Sequence, residues 1–140
     1  MKLLSKFLIF SFLISISLVS CDVENDNFFQ TSQVSRILSA TVPDTMVTGE
    51  TYTLDIRYEK DSNCHTFSNF ETVNQGDSLY FVRAITIFTQ SENCNQQATS
   101  ELREVEFTNE FESNFTFKFL QDRDSIGELI YIDREVVVID

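Results

Sequence analysis

Hydrophobic and polar residues alternate with a period close to two over most of this chain. In Thr51–Tyr58, Tyr52, Leu54, Ile56 and Tyr58 fall on one face, and Thr51, Thr53, Asp55 and Arg57 on the other. That pattern predicts a strand with one buried face. Phe115, Phe117 and Phe119 alternate with Asn114, Thr116 and Lys118 in the same way. Ser78–Gln90 is apolar on both faces except at Arg83, which predicts a central strand or one that changes sheets. Ser32–Ala40, Cys64–Phe70, Leu102–Phe107, Leu129–Ile132 and Val136–Ile139 are further predicted strands. Turns are expected at Val42-Pro43-Asp44, Thr48-Gly49-Glu50, Lys60-Asp61-Ser62-Asn63, Asn74-Gln75-Gly76-Asp77 and Gln121–Gly127, with a polar loop at Ser91–Gln97.

Seven to nine short strands, with no amphipathic helix of useful length, predict an all-β domain. The expected form is an antiparallel two-sheet sandwich, immunoglobulin-like in architecture. A closed barrel is the alternative.

The first residues do not follow this pattern. Lys2 and Lys6 precede an apolar run, Phe7–Val19, broken only by Ser11, Ser15 and Ser17. This is the order of a secretory signal, and the run falls short of the roughly 20 residues that span a bilayer. Leu18-Val19-Ser20-Cys21 resembles the lipobox of bacterial lipoproteins. The resemblance implies that the Cys21 thiol receives a diacylglycerol, that Cys21 becomes the first mature residue, and that its new amino group can take a third chain. The organisation expected is a helical signal peptide over 1–20, a lipidated cysteine and tether over 21–31, and the β-sandwich over 32–140. The tether is acidic and Asn-rich with no apolar period; Phe28-Phe29 alone suit docking on the domain or starting its first strand.

Charge narrows the partners. Of 10 basic residues, Lys2 and Lys6 belong to the leader, leaving 8 against 22 acids, a net charge of −14 for the mature chain. Nucleic acid and anionic lipid headgroups are disfavoured by charge repulsion. With Cys21 set aside for lipid, Cys64 and Cys94 remain, and export to an oxidising compartment predicts a disulfide between them.

Val42-Pro43-Asp44-Thr45, Gly49-Glu50-Thr51-Tyr52, Cys64-His65-Thr66-Phe67, Asn93-Cys94, Phe115-Thr116-Phe117-Lys118-Phe119 and Glu135-Val136-Val137-Val138 occur in that order. With the lipobox, they resemble the small lipoproteins of Bacteroidota-type bacteria that carry one immunoglobulin-like β-sandwich. The resemblance implies a fold and an envelope location and brings no catalytic residues. Asp44-Thr45-Met46, Asp77-Ser78-Leu79 and Asp124-Ser125-Ile126 also resemble the O-glycosylation acceptor pattern of such bacteria, with Thr45, Ser78 and Ser125 as acceptors in expected turns. Asn114-Phe115-Thr116 has the eukaryotic N-glycan pattern but lies in an expected strand of a bacterial-looking chain.

Chemistry-bearing constellations are few. Cys64 and His65 are adjacent on a strand, so their side chains point to opposite faces and do not suit thiolate activation. His65 is the sole histidine, and no Gly-x-Ser-x-Gly elbow accompanies it. One histidine and a disulfide do not make a zinc site. Asp122-Arg123-Asp124-Ser125-Ile126-Gly127 begins like a calcium loop, but Ile126 stands where an oxygen ligand belongs and Asp133 replaces the bidentate Glu. An acidic turn is the simpler reading, with a looser calcium site near Asp122 and Asp124 left open. No catalytic residue, metal or cofactor is expected. Phe67, Phe70 and Tyr80 are aromatic residues expected near the disulfide end, where they suit a recognition platform, with core the simpler reading for Phe67 and Phe70. Tyr58, His65 and Tyr80 are the candidates for a binding surface.

The function expected is that of a non-enzymatic, lipid-anchored binding or accessory module of the bacterial envelope. It would sit on the outer membrane, with its leaflet open, and engage a protein or glycan partner and no nucleic acid. An inhibitor or immunity-type protective lipoprotein is one alternative. A hydrolase with an unrecognised carboxylate pair is the other.

Overall fold

The computed structural model describes residues 29–139. The signal-peptide helix, Cys21 and most of the tether lie outside the described residues. Nine strands occur among the described residues: β1 (Gln30–Ser35), β2 (Ile37–Thr41), β3 (Thr45–Val47), β4 (Thr51–Lys60), β5 (His65–Gln75), β6 (Leu79–Thr89), β7 (Thr99–Thr108), β8 (Phe115–Arg123) and β9 (Leu129–Ile139). They form an all-β fold of two sheets. The smaller is β2-β4-β7; the larger contains the other six.

β6 is central, as its apolar character predicts. One edge pairs antiparallel with β5. The other is shared: Leu79–Val82 run beside β8, and Ala84–Thr89 beside β1. Tyr80, Val82, Ala84 and Thr86 alternate inward, and buried Thr86 shares a hydrogen bond with buried Ser35 at 2.8 Å. The core lies between the sheets, with Leu54, Ile56 and Tyr58 of β4 facing Phe115, Phe117 and Phe119 of β8.

The structure corrects several expectations. Two pairings, β6–β8 and β3–β9, are parallel, where antiparallel pairing was expected throughout. The single strand over Ser32–Ala40 is two strands, because the chain leaves one sheet for the other at Arg36. The guanidinium there ties β2's start to Glu59 (Nε to Oε2, 2.6 Å) and to Asp122 (3.2 Å). Between the two turns after β2 lies the short strand β3, anchored by fully buried Met46. The two strands expected after Gly127 are one: polar Asp133-Arg134-Glu135 reads as a break, but Asp133 pairs with Lys118 at 2.8 Å and Arg134 Nε donates to the Ala40 carbonyl at 3.1 Å. A strand can carry charge mid-length when neighbouring strands supply its partners.

Candidate functional site

The two sheets do not cover each other fully. β7 packs over β5 and β6, with Arg103 on Phe67 and Phe107 on Tyr80, and among the described residues neither β5 nor β7 has a strand on its outer edge. The flank between these edges stays open. A bulge between Phe67 and Asn69 resets the alternation of β5, so Phe67 and Phe70 both turn inward, with ring centroids 5.0 Å apart. Thr72 of β5, with Val105 and Phe107 of β7, lines a pocket of about 150 Å³ that runs into the core. Tyr80 forms the floor, 5.3 Å from Phe107 and 5.4 Å from Phe117 between centroids.

Toward the β5–β6 turn the flank widens into a groove of about 380 Å³ lined by Asn74, Tyr80, Glu106, Phe107, Glu110 and Phe111. It continues as a hollow of about 510 Å³ past Gly76, Asp77, Glu112 and Ser113. Gly76 makes the turn with φ of 66°, a conformation that favours glycine. Asn109 holds the opposite wall. Fully buried, it accepts from the Phe111 amide through Oδ1 at 3.0 Å, and its own amide donates to the Glu50 carbonyl at 2.9 Å. Its Nδ2 has no hydrogen-bond partner among the described residues. Thr48 Oγ1 donates to the Phe111 carbonyl at 2.8 Å, and the Phe111 ring stacks on Phe115 at 4.1 Å. The groove therefore has an aromatic floor and a rim of Asp77, Glu106, Glu110 and Glu112, and no Lys, Arg or His among the described residues lines it.

The other half of the flank carries a charged cluster. The Arg103 guanidinium lies over the Phe67 ring, 4.9 Å from its centroid, and pairs with Glu101. Glu101 also accepts from the Tyr58 hydroxyl at 3.0 Å and pairs with Lys60 at 3.3 Å. Burial pushes the Glu101 carboxyl up, but the hydrogen bonds from Tyr58 and Lys60 and the charge of Arg103 outweigh it and leave it below its usual value. The Tyr58 phenol is pushed up to about 12, first by burial and then by its bond to Glu101.

A folded pKa above the unfolded one, about 10 for tyrosine, favours the fold while the phenol is protonated. That contribution is complete below pH 10 and is lost as pH rises toward about 12. In a phenolate absorbance titration, one of the four tyrosines should ionise last, near pH 12, and Tyr58→Phe should remove that step. A late step that persists in the variant would assign it elsewhere.

The structure relocates most of the candidates. Tyr58 is fully buried and His65 is 5 % exposed, so neither forms a surface. The strand alternation that gave Tyr58 an apolar face also carries it inward, where Glu101 satisfies its hydroxyl. His65 bonds Ser62 Oγ through Nδ1 and Gln33 Oε1 through Nε2, both at 2.8 Å, and packs on Phe88. Ser62 is itself 1 % exposed, so this Ser–His pair knits the turn and has no open face for a substrate. Tyr80 is half-buried and lines the groove. It lies opposite Asn74 at the start of β6, at the far end from the disulfide rather than near it.

Cys64 and Cys94 are bonded, with Cα atoms 5.5 Å apart, where the start of β5 meets the β6–β7 loop. Thr45, Ser78 and Ser125 are exposed, Thr45 in β3 rather than in a turn. Asp124 Oδ1 accepts from the amides of Ile126 and Glu128 at 2.9 and 2.8 Å, and the Asp122 carboxylate from the Arg123 amide and Arg36. Those carboxylates close a hairpin. No cluster of three or more His, Cys, Asp or Glu fit for a metal occurs among the described residues.

Sequence reasoning missed Asn74, Glu106, Glu110 and Phe111. The one local signal was Phe111 set between two glutamates in a stretch without apolar period. In chemical terms the groove can stack an aliphatic or aromatic group on its rings and pair a cation with its rim. No protein-family model, no curated protein and no solved structure matches the chain.

Proposed function

We propose that this protein is a lipid-anchored lipoprotein of the bacterial envelope that acts, without catalysis, as a binding module for a protein partner. The open, aromatic-floored and acid-rimmed flank groove carries that reading. Concave, partly apolar sites with a few polar groups are the usual ligand sites. Anchoring at Cys21 would join the domain at its disulfide end, because the Phe29 carbonyl accepts from the Gln90 amide at 2.8 Å and the Phe29 ring packs on Phe88. The residues between Cys21 and Phe28 reach about 25 Å at full extension. The groove then stands a further β6 length outward, roughly 35 Å, facing away from the bilayer. Two or more acyl chains make such an anchor stable.

An immunoglobulin-like ancestry fits the order β2-β4-β7, which follows strands A, B and E of that fold. On this reading, the vacant place beside β7 is that of strand D. The neighbour of β8 is β6 instead of β5, which departs from the immunoglobulin order. The acidic rim also favours a second reading, an inhibitor or immunity-type protein steered onto a basic target.

Site-directed photo-crosslinking tests the proposal in living cells. A crosslinker at Thr108, on the groove rim, should trap one discrete adduct. The same group at Ser125, on the β8–β9 turn, should not. Equal labelling from both positions, or none from Thr108, would refute the groove as the binding surface.

A further inference from the structure

We propose that the free edge of β5 over Asn69–Gln75 takes an extended, basic segment of a partner protein as an added strand, a refinement that rests on the binding reading above. Asn69 to Gln75 pair residue by residue with Ile85 to Leu79 of β6, without a bulge. About half the backbone groups of such a strand point the other way. Here they meet no neighbouring strand among the described residues.

An open edge is an association hazard, and proteins blunt it with bulges, prolines, short length or inward-pointing charges. The free edges of β7, β2 and β3 are blunted. β7 turns Glu101 and Arg103 inward, onto Tyr58 and Phe67. β2 has a bulge between Ile37 and Ser39, and β3 is three residues long. The first half of β5 carries its own bulge at Phe67/Asn69. Asn69–Gln75 has none of these devices. It contains no Pro or Lys, and its one charge, Glu71, is paired with Arg83 at 2.9 Å. Val73 is 49 % exposed on its outer face. This receptive stretch borders the groove.

Charge selects the occupant. Inward side chains of an added strand would continue the row of Phe70, Thr72 and Asn74 and reach over the groove toward Glu106 and Glu110. Lys or Arg there would lay their aliphatic stems across Phe70 and Tyr80 and bring their heads to the carboxylates. A second copy of the mature chain would bring the same net charge of −14, so self-pairing is opposed by repulsion.

The test uses the full lipidated protein in detergent and an alternating Lys–Val peptide as long as the edge. Three comparisons accompany it: the peptide with alternate backbone nitrogens methylated, the protein with Thr72→Lys, and the protein with Ser125→Lys. Thr72 is exposed, so its lysine variant is expected to fold. Binding of the plain peptide should weaken about tenfold or more on N-methylation and with Thr72→Lys, and change less than about twofold with Ser125→Lys. Equal binding of the methylated peptide would overturn strand addition while leaving a charge-selective groove, and so the binding reading, intact. No binding of the plain peptide, or a dimer in sedimentation that Thr72→Lys dissolves, would overturn the proposed occupant.

Discussion

Replacing Phe117 with alanine should cost about 3–5 kcal/mol of stability, the range for deleting a fully buried aromatic ring. Phe117 has no exposed surface. Its ring lies 4.9 Å from Phe107 of the smaller sheet, and 5.1 Å from Phe115 and 5.6 Å from Phe119 on its own strand. It also backs Tyr80, so one side chain joins the two sheets and supports the groove floor. None of these neighbours can follow the deleted ring without leaving its own contacts, so a cavity should remain. The transfer loss and the cavity therefore add. Against a typical total of about 5–15 kcal/mol, the loss is a large fraction. In urea unfolding it should appear as a lower midpoint with an unchanged slope. A loss under about 1.5 kcal/mol, the range of volume-conserving swaps, would mean that the sheets close over the gap and that this aromatic cluster is not the rigid centre of the fold.

How much of this was legible depends on where each strand finds its partners. The strands of strict alternation, β4 and β8, are where the sequence puts them, because one buried face imposes period two. β6 was legible as central for a different reason: its run is apolar on both faces, and it is paired along both edges. The failures occur where tertiary partners override local pattern. Nothing in Ser35-Arg36-Ile37 announces a change of sheet; the crossing is visible only once Glu59 and Asp122 are seen to hold the guanidinium. β9 looked interrupted because the partners of its charged middle, Lys118 and the Ala40 carbonyl, come from distant parts of the chain. The groove was illegible for the same cause. Asn74, Tyr80, Glu106 and Phe111 belong to different strands and loops, and pairing β5 with β6 rather than with β7 is what leaves them facing one opening. The disulfide needed no such information, since counting cysteines after setting aside Cys21 left one pair.

Replacing both Cys64 and Cys94 by serine should lower stability by about 3.5 kcal/mol on the chain-entropy model for a loop of this length. The bond spans a separation of 30 residues, including all of β5 and β6. In the unfolded chain it forbids the extended excursions of that segment, and its removal restores them. For a domain of this size the melting temperature should fall on the order of 15 °C. The loss should be mainly thermodynamic, because other bonds still join the same ends. Asn63 donates to the Asn93 carbonyl at 3.1 Å and accepts from the Asn95 amide at 2.9 Å, and His65 remains held by Ser62 and Gln33. The groove lies at the opposite end of β6, so peptide binding by the folded double variant should match that of the native protein at a temperature where both are folded. Two outcomes would contradict this account. A loss below about 1 kcal/mol would mean that the reduced unfolded chain already keeps this segment compact, leaving the bond little entropy to remove. Weakened binding in a fully folded variant would mean that the two ends of the sandwich are mechanically coupled through β5 and β6, and that the disulfide end helps set the geometry of the edge on which strand addition depends.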